Sequence, residues 1–167
     1  MSGWFVILTG LCALGAGLAA GVFFAFSSFV MKGLARLPPG ESIKAMNAIN
    51  VAAVTPLFMV LLFGTAALCL LTVVTVPWRW SEAGAQAAMI GGALYVFGAV
   101  VVTMVWNVPL NKGLAAAAPG DPTDAGTWAS YLQKWQHWNH ARTIVCAGAA
   151  AWFLRALWQQ AGGMAPL

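Results

Sequence analysis

Residues 135–142 read WQHWNHAR and hold both histidines of the chain, an asparagine, an arginine and two of its nine tryptophans. His137 and His140 stand at i, i+3, a spacing at which one helix can offer two imidazoles to a metal. A metal site normally needs three or four protein ligands. The neighbouring apolar segments contain no Asp, Glu or third His to complete one, so no metal is expected. A Ser–His–Asp arrangement fails for the same reason, because no carboxylate stands near either histidine to orient it. The cysteines, Cys12, Cys69 and Cys146, are isolated within apolar runs. Without a C-x-x-C pair they argue against a thiol–disulfide enzyme and read as small packing residues.

What remains is a set of asparagines, tryptophans and one arginine. At about 100° per residue, Trp135, Trp138, Asn139 and Arg142 share roughly a third of a helix, with His137 and His140 opposite. Asn47 and Asn50 share a face of an earlier helix, and Asn107 and Asn111 flank the end of another. The topology set out below brings Asn47, Asn50, Asn107, Asn111, Asn139 and Arg142 to one end of the fold. Polar side chains at membrane depth are costly and usually face the interior or a wet cavity. Their convergence from three helices marks a small-molecule pocket. Each residue also has a plainer reading. Asparagines cap helices and bond freed carbonyls, arginines snorkel to lipid phosphates, and tryptophans mark the membrane interface.

The elements that position these residues are dictated by composition. Of the 167 residues 61% are hydrophobic and 7% are charged, and the mean hydropathy is +0.81. Soluble domains carry about a quarter charged residues, so the bilayer is the expected partner. Residues 4–31, 52–77 and 83–111 are free of charge, as is the shorter run 143–154. A span needs about 20 residues. The reading is an all-α, four-transmembrane-helix bundle forming a single integral membrane domain over residues 1–167. Its helices lie at roughly 3–32, 42–76, 85–108 and 122–160, the last extended by an amphipathic N-terminal segment. The first run lacks a basic leader and is too long for a signal peptide, so it reads as a retained helix.

Lys32, Arg36, Lys44, Lys112, Lys134 and Arg142 cluster near the first and third loops, with Arg79 and Arg155 at the other side. The positive-inside rule then puts loops one and three in the cytoplasm and both termini outside a bacterial inner (plasma) membrane. The net charge of +4 does not point to nucleic acid, because no basic cluster with interleaved aromatics lies outside the spans.

Local signals refine the helices. Gly17 and Gly21 form a small-xxx-small pattern that lets a neighbour approach. Ser27 and Ser28 are expected to bond back to their own helix. Pro38 and Pro39 stop helix one, Pro56 should kink helix two, and Pro109 should break helix three near Val108. Trp78 and Trp80 suit an interfacial belt. Asp121, Pro122 and Asp124 form a start signal for helix four. Trp128, Tyr131, Trp135, Trp138 and Arg142 follow as one stripe.

FFAFSSFVMKGL in helix one, AMNAIN at 45–50, NVPLN at 107–111 and W-x-x-W-N-x-x-R at 135–142 resemble the anthrone oxygenase family of small membrane proteins. The resemblance implies oxygenation of an anthrone to an anthraquinone by O2 without a cofactor. On that reading Trp135 and Trp138 stack the rings. Arg142, Asn139, Asn107 and Asn111 hold an enolate-like oxygen, and Asn47 and Asn50 complete the binding set. His140 is the nearest group with a suitable pKa for a base, although its helical phase points it away. Family membership does not fix activity. A membrane binding or transport module for a lipid-soluble metabolite, and a structural subunit without catalysis, both stay open. Oligomeric state is not written in the sequence.

Overall fold

The computed structural model describes residues 3–117 and 119–162, and every regular element among them is helical. The helices are α1 Gly3–Leu34, α2 Pro39–Ala52, α3 Pro56–Arg79, α4 Ala85–Ala115 and α5 Asp124–Gln160. Three of them, α1, α3 and α4, are long and apolar enough to cross a membrane, which makes this an integral membrane protein. The sequence expectation was four. The fourth long helix, α5, has the length but not the composition, because Lys134, both histidines, Arg142, Arg155, Gln159 and Gln160 lie along it.

α5 runs antiparallel to α1 for most of its length. Asn139 Nδ2 donates to the Phe23 carbonyl at 2.8 Å, and several turns further along Gln160 Nε2 donates to Thr9 Oγ1 at 3.1 Å. Cys12, Ala16, Ala19, Cys69, Tyr95, Cys146, Ala149 and Phe153 belong to the core shared by the four long helices. A second core gathers Met31, Ile43, Met46, Leu114, Trp128, Tyr131 and Trp135 around α2 and the first half of α5. Trp4, Trp78, Trp80 and Trp158 are exposed at the end remote from that second core, as an interfacial belt requires.

Several local expectations change. The segment 42–76 is two helices, not one kinked helix. The chain leaves the helix at Ala53–Thr55, and Pro56 starts α3 with the Thr55 hydroxyl accepting from Phe58 N at 3.3 Å. Proline is well suited to a first helical turn because its missing N–H is not needed there. Pro109 does not break α4, which continues to Ala115. The turn before it, Thr103–Asn107, is π-helical, and a wider turn accommodates a residue that has a ring and no N–H. α5 starts at Asp124, a few residues past the expected cap. Asp121 instead closes its own turn, accepting from Thr123 N at 2.8 Å and Thr123 Oγ1 at 2.7 Å.

Close helix approach is achieved at a different glycine from the one expected. Gly17 and Gly21 have no atom within 4 Å of where a Cβ would stand, whereas a Cβ at Gly15 would collide with the Thr65 side chain of α3. Gly15→Ala should therefore destabilise the protein by about 1–3 kcal/mol, while Gly17→Ala and Gly21→Ala should not. Thermal unfolding of the three variants in one detergent checks this. Equal melting temperatures for Gly15→Ala and wild type would contradict the packing described.

Candidate functional site

The two cores do not meet flush. Between them lies a cavity of about 240 Å³. Phe23 and Leu62 of the first core and Met46 and Trp135 of the second stand in its wall. Each of the three apolar helices contributes a π-helical turn at this level: Phe26–Val30 in α1, Val60–Gly64 in α3 and Thr103–Asn107 in α4. A π turn widens the helix and leaves carbonyls without their usual i+4 partner. Those carbonyls find side chains here. Tyr95 Oη donates to the Leu62 carbonyl at 3.2 Å, and Asn139 Nδ2 takes the Phe23 carbonyl.

Arg142 is the centre of the polar end. It is 5% exposed, and Asn139 beside it is 0% exposed. Arg142 Nη2 donates to Asn139 Oδ1 at 2.8 Å and Nη1 donates to Thr103 Oγ1 at 3.1 Å. The guanidinium lies over the Phe23 ring at 4.3 Å and near the Trp135 ring at 5.3 Å. Among the described residues no carboxylate pairs with it. The chain has four acidic residues. Glu41 pairs with Lys44 and Glu82 with Arg79, while Asp121 and Asp124 accept from Thr123 and Gly120. Arg142 Nε, Trp135 Nε1 and Asn107 Oδ1 are buried without a hydrogen-bond partner, and all three residues line the cavity.

Of the residues expected in the site, Asn50, Asn107, Asn111, Trp135, Asn139 and Arg142 do surround one cavity. The remaining three stand elsewhere. Asn47 uses its amide on the Leu114 carbonyl at 3.3 Å, tying α2 to α4. Trp138 lies outside the cavity, stacked on Trp106 at 4.1 Å between ring centroids. His140 is exposed, with Nδ1 2.9 Å from Ser27 Oγ. Its opposite phase on α5, read from the sequence, keeps it out of the cavity. Asn107 and Asn111 also have anchoring contacts, to the Trp135 carbonyl at 3.4 Å and from Tyr131 Oη at 2.9 Å. The Tyr131 hydroxyl is the donor to Asn111 Oδ1.

The family comparison can be placed on this geometry. The model of the anthrone oxygenase family matches residues 52–152, well over half of the chain. The protein belongs to the anthrone oxygenase family. No curated protein and no solved structure gives a significant match. For an anthrone oxygenase family member, the matched region contains NVPLN and WQHWNHAR. FFAFSSFVMKGL and AMNAIN, which also suggested the relationship, precede it.

Sequence reasoning missed several residues that build the site in this family member. Ser28 bonds back to Phe24 O at 2.7 Å as expected. Ser27 instead reaches across to α5, accepting from Asn139 Nδ2 at 2.8 Å and standing 3.1 Å from Thr143 Oγ1. Thr103 was also missed. Its position four residues before Asn107, and so on the same face of α4, was the available signal. The α1 and α3 phenylalanines and methionines of the wall look like ordinary apolar sequence and carry no signal.

Asn139 thus holds α1, Ser27 and Arg142 together. Asn139→Ala should cost about 1–3 kcal/mol by leaving these buried groups unpaired. His140→Ala, at an exposed position, should stay within about 0.5 kcal/mol of wild type. Denaturation of both variants in the same detergent measures the contrast, and similar losses for both would refute the assigned role of Asn139.

Proposed function

We propose that the cavity is the active site of a membrane-embedded, cofactor-independent oxygenase that converts an anthrone-like aromatic to the corresponding quinone with O2. The observation that carries this reading is a buried guanidinium with no carboxylate partner among the described residues. Removing a charge from water costs several kcal/mol unless it is paired, and hydrogen bonds to Asn139 and Thr103 supply dipoles but no charge. A ligand that becomes anionic beside Arg142 completes the pair. The wall is apolar and aromatic elsewhere, which suits a flat ring system, and Trp135 offers both a ring face and an unpaired N–H.

The chemistry follows from the carbon acid. Loss of a proton from the methylene carbon gives a delocalised anion whose charge rests mainly on the carbonyl oxygen. Arg142 and Trp135 Nε1 stabilise that oxygen as charge develops, where such donors act most strongly. One electron passes to O2, giving superoxide and a carbon radical. These combine through a new C–O bond to a peroxide anion, which takes up a proton equivalent to the one lost in the first step and becomes a hydroperoxide. Loss of the second methylene hydrogen as a proton, with cleavage of the O–O bond and departure of hydroxide, leaves the second carbonyl. One O2 is consumed and one water is released, so no external reductant is required. No carboxylate lines the cavity, and Arg142 acts by making the carbon acid stronger.

The same reading places α5 across the membrane as a fourth span. α5 is paired with α1 from Phe23 to Thr9, so the two share a depth. The outward face of its second half shows Ile144, Leu154 and Trp158, and its polar groups turn inward. With Lys32, Arg36, Lys44, Lys112 and Lys134 near the cavity end, that end is cytoplasmic and both termini are outside. The half of the fold beyond Leu62 is filled by Cys12, Cys69, Tyr95 and Phe153, which favours a closed site over a transport passage.

Oxygen uptake by the purified protein with anthrone, in the presence of a chelator, tests the proposal. Wild type should exceed the spontaneous rate. Arg142→Ala should lower kcat by about 100-fold or more, as loss of an oxyanion donor does, with Trp138→Phe close to wild type. Equal uptake by wild type and Arg142→Ala would remove anthrone oxygenation and leave a ligand-binding or structural role.

A further inference from the structure

We infer that the cavity takes its ligand from the hydrocarbon of the bilayer, through a lateral mouth between α3 and α4 framed by Phe63 and Met104. The inference rests on the proposed function for the identity of the ligand, and on geometry for the route.

Exposure along the cavity wall is strongly graded. At the polar end Asn107, Asn139 and Arg142 are 1%, 0% and 5% exposed. At the opposite rim Val54, Phe63 and Met104, which line the same cavity, are 70%, 43% and 51% exposed. A wall residue that is also exposed marks an opening. Phe63 and Met104 stand on two helices that qualify as membrane spans, and the exposed neighbours Leu57 and Val60 on α3 are apolar as well. The opening therefore faces lipid tails. The break at Ala53–Thr55 between α2 and α3 forms its upper rim and carries no charge.

The other direction is shut. Toward the lysine-rich end the cavity is covered by Met46 and Trp135, both buried, and by the Tyr131–Asn111 hydrogen bond. A ligand arriving from water would have to displace these groups. A ligand dissolved in the bilayer meets only side chains that move readily, since methionine is unbranched and adapts its shape. The route selects a substrate class. A neutral, flat, lipid-soluble molecule with an oxygen at its leading end can pass, reaching Arg142 oxygen-first. A sulfonated or glycosylated derivative with the same reactive ring is excluded, because its polar group cannot enter hydrocarbon without a hydrogen-bond partner. The effective concentration is then the mole fraction in the membrane.

Nanodisc-embedded protein tests the route by two readouts. In the first, nitroxides are placed at Met104→Cys and, as a control on the same flank outside the cavity, Leu57→Cys, with wild type as background for the buried native thiols. Collisions with membrane-dissolved O2 should exceed those with a water-soluble nickel chelate at both positions. Added anthraquinone should lower the O2 collisions at 104 and not at 57. Dominant nickel collisions at 104, or no effect of anthraquinone there, would overturn the route. In the second, Met104→Trp should raise the half-saturating membrane mole fraction of anthrone for O2 uptake by about tenfold, a typical effect of blocking an apolar contact. Leu57→Trp should leave it unchanged, and equal behaviour of the two variants would also overturn the route. If wild type consumes no O2, the proposed function fails, while the nitroxide readout still decides the route.

Discussion

Arg142 is a buried cation with no carboxylate partner among the described residues, and much of the structure around it is arranged to make that tolerable. Its two terminal nitrogens are held by Asn139 and Thr103, and its plane rests on Phe23 and near Trp135. Aromatic faces attract a desolvated guanidinium by roughly 2 kcal/mol, less than the cost of removing it from water. The arrangement therefore leaves an unfavourable electrostatic state, which an anionic ligand of the kind proposed would relieve. Asn139 can orient Arg142 only because its own amide nitrogen is fixed by the Phe23 carbonyl and Ser27 Oγ on α1. The register of α5 against α1 and the position of the cation are one constraint.

The π turns connect that constraint to the existence of a cavity. Straight α-helices of Ala, Gly and Leu at this spacing would close on each other, as they do around Cys12, Ala16 and Ala149. The cavity lies at the level where α1, α3 and α4 each carry a π turn, whereas a further π segment of α4, Val96–Val101, packs closely against Val145 of α5. The freed carbonyls must be bonded, because no water is available at this depth. The tyrosine and asparagine side chains that bond them also form or back the wall. A structural and a functional role for the asparagines are thus compatible: Asn107 ties its amide to the Trp135 carbonyl and leaves its oxygen free in the cavity.

How legible this was in the sequence depends on the kind of physics involved. Helical phase put Asn139, Arg142 and Trp135 on the inner face and both histidines on the outer one, because α5 is a regular helix and 100° per residue holds along it. The same rule misjudged Trp138, which lies at the edge of that face and is drawn out by stacking on Trp106. The convergence of asparagines from α2, α4 and α5 followed from topology alone. The π turns had no local signature, so Pro109 looked like a helix break, and Ser27 looked like a residue bonded to its own helix. The small-xxx-small motif was read from spacing without knowing the facing helix. The closest contact fell on Gly15, two residues away and on another face. The expected fourth span rested on length and on the uncharged run 143–154, and the polar residues along α5 leave three helices apolar enough to cross a membrane.

An apolar mouth and a cationic end are also what cofactor-free oxygenation requires. O2 is apolar and concentrates in hydrocarbon, so a site opening to lipid is supplied with both reactants from one phase. Water would weaken the field of Arg142 and compete for the anionic oxygen, since the same charge interaction is several times larger in a protein interior than in bulk water. A water-facing opening would supply proton acceptors but would sacrifice that field. The placement of Met46, Trp135 and the Tyr131–Asn111 pair across the lysine-rich end keeps the guanidinium dry on the side where water is nearest. The absence of a carboxylate in the wall follows the same logic. On the proposed function, a carboxylate in the wall would pair with Arg142 and weaken its pull on a developing anionic oxygen.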